Sequence, residues 1–164
     1  MALIGLLTDT HGYLDPTILS HFQDCDQIWH LGDIGDQAIL DTLQNLKPMR
    51  AVFGNIDSKE IQWRYKENEI IELEGLRFLL RHIAGKPPKY TKETERILKE
   101  EGIDVLICGH SHQKTVQKDR RTGMVFINPG AAGKQGFHKE RFIMKMEVQN
   151  KKITNLETIR LGKR

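Results

Sequence analysis

Apolar and polar positions along this chain come in short blocks, and the blocks end on glycine, aspartate, asparagine or histidine. Leu3-Ile4-Gly5-Leu6-Leu7 is a continuous apolar run halted by Thr8-Asp9-Thr10-His11-Gly12. A short apolar run bounded by a turn signal predicts a strand buried on both faces. A helix signal follows, with Asp15 as N-cap, Pro16 at the first helical position, Leu14 and Leu19 at staple spacing, and Ile18 and Phe22 on one face. Residues 27–31 read as a second strand ending in Gly32-Asp33. The stripe of Ile39, Leu40, Leu43 and Leu46 predicts a second helix from about Asp36, stopped by Pro48. Residues 50–53 form a third strand, ending in Gly54-Asn55-Ile56-Asp57. This alternation of strand and helix implies right-handed crossovers and a largely parallel sheet.

From Glu69 the pattern changes. Ile70-Ile71-Glu72-Leu73, a Glu74-Gly75 turn and Leu76-Arg77-Phe78-Leu79-Leu80 predict a hairpin whose second arm runs into Arg81-His82. Gly85-Lys86-Pro87-Pro88 reads as loop. Thr91 caps a helix with Ile97 and Leu98 inside, closed by Gly102. Residues 104–108 are a further buried strand, ending in Gly109-His110-Ser111-His112. The remainder reads as antiparallel: strands at 115–118 and 124–127, then Asn128-Pro129-Gly130, then 141–149 and 153–159 joined at Asn150-Lys151-Lys152. With no repeats, low-complexity tracts or long linkers, residues 1–164 are expected to form one α/β domain of two stacked sheets flanked by helices.

Composition adds limits. The chain has 164 residues, 38% hydrophobic and 29% charged, which excludes a disordered chain. Its net charge of +3 favours no partner by itself. The segment from Lys139 to Arg164 is basic, with eight Lys/Arg against three Glu, and a solvated strand face accounts for it. Cys25 and Cys108 are too few for a disulfide framework, and Cys108 is expected as a small buried hydrophobe. No apolar run reaches the ~20 residues that cross a membrane, and no basic leader precedes Leu3, so a cytoplasmic protein is expected.

Five strands thus end in a polar tip: Asp9/His11, Asp33, Asn55 with Asp57, His82, and His110/His112. In extended backbone side chains repeat every second residue, so Asp9 and His11 leave their strand on one side. Open α/β sheets bind ligands beyond the carboxyl ends of their strands. Mixed oxygen and nitrogen donors suit manganese, iron or zinc and fit calcium poorly. Seven donors exceed what one transition ion takes and suit two ions sharing a carboxylate, with Asp33 the natural bridge.

The ordered set D-x-H, G-D, G-N-x-D, a lone His after a strand, G-H-S-H and N-P-G resembles the calcineurin-like metallophosphoesterases, most closely their small yfcE-type phosphodiesterase branch. The resemblance runs from Leu3 to the C-terminal hairpin. It implies a four-layer α/β/β/α sandwich of two mixed sheets. Carried over position by position, it implies that Asp9, His11 and His112 hold a first metal, that Asn55, His82 and His110 hold a second, and that Asp33 bridges them. The cofactors would be two divalent ions per chain, manganese first, with iron, zinc or nickel as alternatives. Such a pair ~3.5–4 Å apart can hold a bridging hydroxide that attacks phosphorus. Two divalent ions (+4) against Asp9 and Asp33 (−2) leave about +2, which favours a phosphate anion.

Two positions depart from the family pattern. Ile56 stands where many larger members carry a leaving-group histidine, so diesters or good leaving groups are expected over ordinary monoesters. Ile83 stands where many carry glycine, which could shift the second metal site. His30 and His138 could substitute as acids, though isolated histidines are more often structural or solvent-facing. Asn55 and Asp57 are the candidates for catalytic roles, Asp57 either orienting a ligand histidine or capping a turn. Trp63, Tyr65 and Tyr90 are expected in core or rim packing. The expected partner is a small phosphoester, with no membrane and no nucleic acid, and a homo-oligomer is left open because relatives form dimers and tetramers. Two other classes compete: a protein-binding scaffold of the same fold, as in the retromer complex, and a nuclease, whose relatives carry added domains.

Overall fold

A computed structural model describes residues 1–164. In chain order the elements are β1 (Ala2–Leu7), α1 (Thr17–His21), β2 (Gln27–His30), α2 (Gln37–Leu46), β3 (Met49–Ala51) and α3 (Lys59–Arg64). Then come β4 (Asn68–Leu73), β5 (Leu76–Arg81), β6 (Gly85–Lys86), β7 (Lys89–Tyr90), α4 (Lys92–Glu101) and β8 (Val105–Ile107). The chain closes with β9 (Thr115–Lys118), β10 (Val125–Asn128), β11 (Glu140–Gln149) and β12 (Lys152–Lys163).

Two five-stranded sheets result, in the orders β12-β11-β1-β2-β3 and β4-β5-β8-β10-β9. Alternation along each strand explains why they stack. Ile4 and Leu6 of β1 meet Phe78 and Leu80 of β5 and Val105 and Ile107 of β8 in the core between the sheets. Trp29 and Phe78 touch edge to face there, with ring centroids 5.2 Å apart, a geometry aromatic quadrupoles favour. The opposite faces take the helices. Leu7 and Ile28 pack on Ile18 of α1, Phe22 just past its end, and Leu40 and Leu43 of α2, while Leu79, Leu106 and Phe126 pack on Ile97 of α4. The architecture is therefore helix, sheet, sheet, helix, the metallophosphatase-type sandwich.

Several expectations change at the level of elements. Residues 124–127 do not simply continue an antiparallel half. β10 lies parallel to β8, with Val125 opposite Val105, and antiparallel only to the edge strand β9. The C-terminal hairpin returns to the first sheet, where β11 runs antiparallel to β1. α3 is an unanticipated helix, short and burying only Ile61, so it leaves almost no periodic trace; Ser58 caps it. Trp63 on α3 is 87% exposed and therefore outside the core. Residues 85–90, read as loop, form the small β6–β7 ladder. α1 begins at Thr17, one residue later than expected, with Pro16 at the N-cap position; the Asp15 carboxylate accepts from Thr17 N–H at 2.9 Å and pairs with the buried Arg141 at 2.8 Å. In the basic C-terminal stretch the half-exposed Arg160 pairs with Glu140 on a solvated face, whereas Arg141 and Lys145 are largely buried and pair with Asp15 and Asp24. No helix is long and apolar enough to cross a membrane.

Candidate metal centre

The strands β1, β2 and β3 run parallel, as do β5 and β8, so their carboxyl ends open on one rim. Asp9 and His11 follow β1, Asp33 follows β2, Asn55 follows β3, His82 follows β5, and His110 and His112 follow β8. The chain turns abruptly at this rim. Asp9, His11, Asp33, His110 and His112 have φ between 45° and 72°, in the left-handed region. The remaining non-glycine residues there, Glu74, Asn150 and Lys151, sit in hairpin turns. Left-handed backbone costs L-residues roughly 1–2 kcal/mol each, so five such residues at one rim require firm support. Backbone bonds supply it: Asp9 N–H donates to Gly32 O at 3.0 Å, His11 N–H to Asp33 O at 2.9 Å, and Gly133 N–H to Asp9 O at 3.0 Å.

The side chains converge in two groups, Asp9/His11/His112 and Asp33/His82/His110, and within each the potential ligand atoms lie within 4.8 Å of one another. Asp33 joins them. Its Oδ2 is 3.3 Å from His11 Nε2 on one side and 3.2 Å from His82 Nε2 on the other. His112 Nε2 lies 3.1 Å from Asp9 Oδ1. Asn55 reaches the second group, its Oδ1 accepting from His110 Nδ1–H at 3.1 Å. Gly54 makes this approach feasible, since a Cβ there would stand 2.1 Å from Asp33 Oδ1.

Asp9 Oδ1, His11 Nε2 and His82 Nε2 are buried and make no hydrogen bond. Each such orphan costs about 1–3 kcal/mol. The three lie in contact range of one another and could each turn a lone pair to a cation, and a mixed carboxylate, imidazole and amide set fits first-row divalent ions. The residues present fit the implied metals. Burial by itself raises the Asp9 carboxyl, but the imidazoles of His11 and His112 outweigh it and hold Asp9 well below the ordinary range. Burial likewise opposes the charge on Asp33, and His82 reverses that balance. The partners respond in kind: the Asp9 carboxylate raises His11, and Asp33 raises His82 against its burial.

A second layer of side chains aims the donors. His82 Nδ1–H donates to Leu31 O at 2.7 Å, which turns Nε2 toward Asp33. Thr8 Oγ1 donates to Asp9 Oδ2 at 2.8 Å, and His110 N–H donates to the same oxygen at 3.0 Å. Asp57 bonds to no histidine. Its carboxylate accepts from the N–H groups of Ile34, Gly35 and Gly54 at 2.8–2.9 Å, tying the loop of Asp33 to the loop of Asn55. Asn128 acts by side chain, donating to Gly109 O and Ser111 Oγ and so holding the loop of His110 and His112.

Two residues weighed as isolated histidines are embedded in this framework. The fully buried His30 accepts from Gly32 N–H and donates through Nε2 to Thr10 Oγ1, whose hydroxyl in turn donates to Ile34 O. His138 lies 3.1 Å from His112 Nδ1. Thr8 and Thr10 carry no sequence signal at all. Ile56 and Ile83 are partly exposed at the rim, and His82 keeps its place beside Asp33 with Ile83 next to it. A larger hollow of about 440 Å³ against α4, lined in part by Tyr90, Leu98 and Met124, contains none of the seven donors.

A protein of Methanocaldococcus jannaschii named a probable metallophosphoesterase is 34% identical over 135 residues, covering 79% of this chain and 67% of its own length. At the level of fold, a structure titled as a novel archaeal phosphodiesterase superposes with a TM-score of 0.77 at 22% identity, covering 97% of this chain and 99% of its own. The zinc complex of Vps29 from Entamoeba histolytica superposes with a TM-score of 0.73 at 19% identity, covering 98% of each chain. Residues 2–151 match the calcineurin-like phosphoesterase superfamily domain, and the chain belongs to that family of metal-dependent phosphoesterases.

Proposed function

We propose that this chain hydrolyses phosphodiesters at a binuclear metal centre, with manganese the first candidate ion. The observation that carries the reading is Asp33 Oδ2, set almost equally far from His11 Nε2 and His82 Nε2 and thus shared by both donor groups. When bound, two divalent ions supply a water acidic enough to ionise near neutral pH and positive charge for the phosphoryl oxygens. The chain's own part is positional. Asp9, His11 and His112 form one half of the cage, Asn55, His82 and His110 the other, and Asp33 fixes the spacing. Ile56 offers no proton to a leaving group, which favours diesters and activated esters over alkyl monoesters. Clefts of about 260 Å³ beside His110 and about 180 Å³ beside Asn55 and His82 leave room for two substituents on phosphorus.

Metal-free protein given manganese should hydrolyse bis(p-nitrophenyl) phosphate faster than p-nitrophenyl phosphate, and Asp33→Ala should abolish the activity. Equal or greater turnover of the monoester would refute the diester preference. The fold shared with Vps29 supports a second reading, a protein-binding scaffold. No bound ion and no turnover across manganese, zinc, iron and nickel would favour it.

A further inference from the structure

We infer that His138 is a positioning residue that fixes the tautomer of His112 and leaves His112 Nε2 free for a metal ion. The inference rests on reading Asp9, His11 and His112 as one half of the metal centre. His138 Nε2 lies 2.8 Å from Gly133 O. A carbonyl oxygen only accepts, so this nitrogen carries a proton and donates. In the neutral ring the other nitrogen, Nδ1, is then an acceptor, and the atom facing it at 3.1 Å is His112 Nδ1. His112 therefore holds a proton on Nδ1, and Nε2, 3.1 Å from Asp9 Oδ1, is the nitrogen left for a cation. The chain of bonds runs from backbone carbonyl through two imidazoles to the ligand atom.

The surroundings are shaped for this arrangement. The two rings meet edge to face, with centroids 5.0 Å apart. A Cβ on Gly136 would stand 2.2 Å from His112 Nδ1 and 3.0 Å from His138 Nδ1, so only glycine admits both rings, and its φ of 129° also disfavours a side chain. The loop that carries these residues is tied to the first donor group, since Gly133 N–H donates to Asp9 O. At its far end the Arg164 guanidinium donates to Gly136 O and Arg164 N–H to Lys139 O. Backbone that anchors Asp9 thus also orients His112. Both nitrogens of His138 are engaged, which leaves no free N–H for a leaving group and sets this role apart from general-acid catalysis.

The test uses the full chain with ¹⁵N-labelled histidine. In chelator-treated protein at pH 7.5, long-range ¹H–¹⁵N spectra should show His112 protonated at Nδ1 and His138 at Nε2. A His112 ring without a proton on Nδ1 would overturn the inference. This readout needs no metal, so it separates the relay from the binuclear reading, which fails by itself if the wild-type protein takes up fewer than two ions. For the variants, zinc is titrated in competition with a chromogenic chelator. His138→Leu should weaken one of two zinc sites about 10- to 100-fold and leave the other unchanged. His138→Gln, whose amide offers one acceptor and one donor at similar separation, should restore that site. Wild-type affinity in His138→Leu, or equal loss in both variants, would overturn the role.

Discussion

His30 provides a measurable account of how the rim is held together. It is fully buried, and both ring nitrogens are committed, Nδ1 accepting from Gly32 N–H and Nε2 donating to Thr10. That arrangement exists only for the neutral ring, and burial pushes its pKa from 6.5 down to about 3. Between those values the unfolded chain binds a proton at this position and the folded chain does not. Stability from this group is therefore complete above pH 6.5 and is lost as pH falls toward the folded value. The slope is limited to about 1.4 kcal/mol per pH unit, and between pH 7 and pH 5 the loss integrates to about 2 kcal/mol. For a domain of this length that is a shift of roughly 4–8 °C in Tm. The comparison is His30→Asn, whose amide oxygen can still accept from Gly32 N–H but does not titrate. Urea unfolding of both proteins, with chelator present, is followed by circular dichroism at pH 7, 6 and 5. His11 and His82, whose raised values act in the opposite sense, titrate in both proteins and cancel in the difference. The wild type should lose about 2 kcal/mol more than the variant over this range. Parallel losses would show that His30 is not held neutral by the fold.

Two further outcomes follow from the rim. Gly54→Ala places a methyl group 2.1 Å from Asp33 Oδ1 and 2.4 Å from Asp33 N, so bound manganese counted by mass spectrometry should drop while the circular dichroism spectrum stays native; an unchanged metal count would refute the close approach. Protons held by His11 and His82 must leave when ions bind, so manganese affinity should fall between pH 8 and pH 6, with net proton release seen by calorimetry in buffers of different ionisation enthalpy. Affinity flat across that range would contradict the raised values.

The parts of the molecule legible in the sequence are those where one residue type has one dominant reason to be there. The apolar run of β1 and the stripe on α2 gave elements because periodic burial is a strong local signal, and the seven donors were legible because each ends an apolar strand. The pairing of β10 with β8 was not legible, because a buried parallel strand and a central antiparallel one show the same apolar residues. α3 was missed because a six-residue helix with one buried side chain has no period to read. Asp57 reads equally as a group for a histidine or as a turn cap; it caps its own turn through Gly54 N–H and also takes the N–H groups of Ile34 and Gly35, partners 22 and 23 residues away that no local pattern shows. His138 looked isolated for the same reason, being 26 residues from His112.

Supporting side chains and ligands thus obey different rules of visibility, and the difference has a physical origin. A ligand must present a particular atom to a cation, which restricts it to a few residue types and forces the chain into tight turns; five of the proposed ligands take left-handed backbone as a result. A supporting group need only complete a hydrogen bond, and threonine, histidine, aspartate or asparagine can each do so, as Thr8, His30, Asp57 and Asn128 illustrate. The rim therefore combines a demanding set of donors with a permissive set of supports. The carboxylates of Asp9 and Asp33 raise His11 and His82, so these rings favour a proton where the proposed cations would sit. On the proposed reading the site exchanges protons for ions, and Asp9 Oδ1, His11 Nε2 and His82 Nε2 are the atoms at which it would do so.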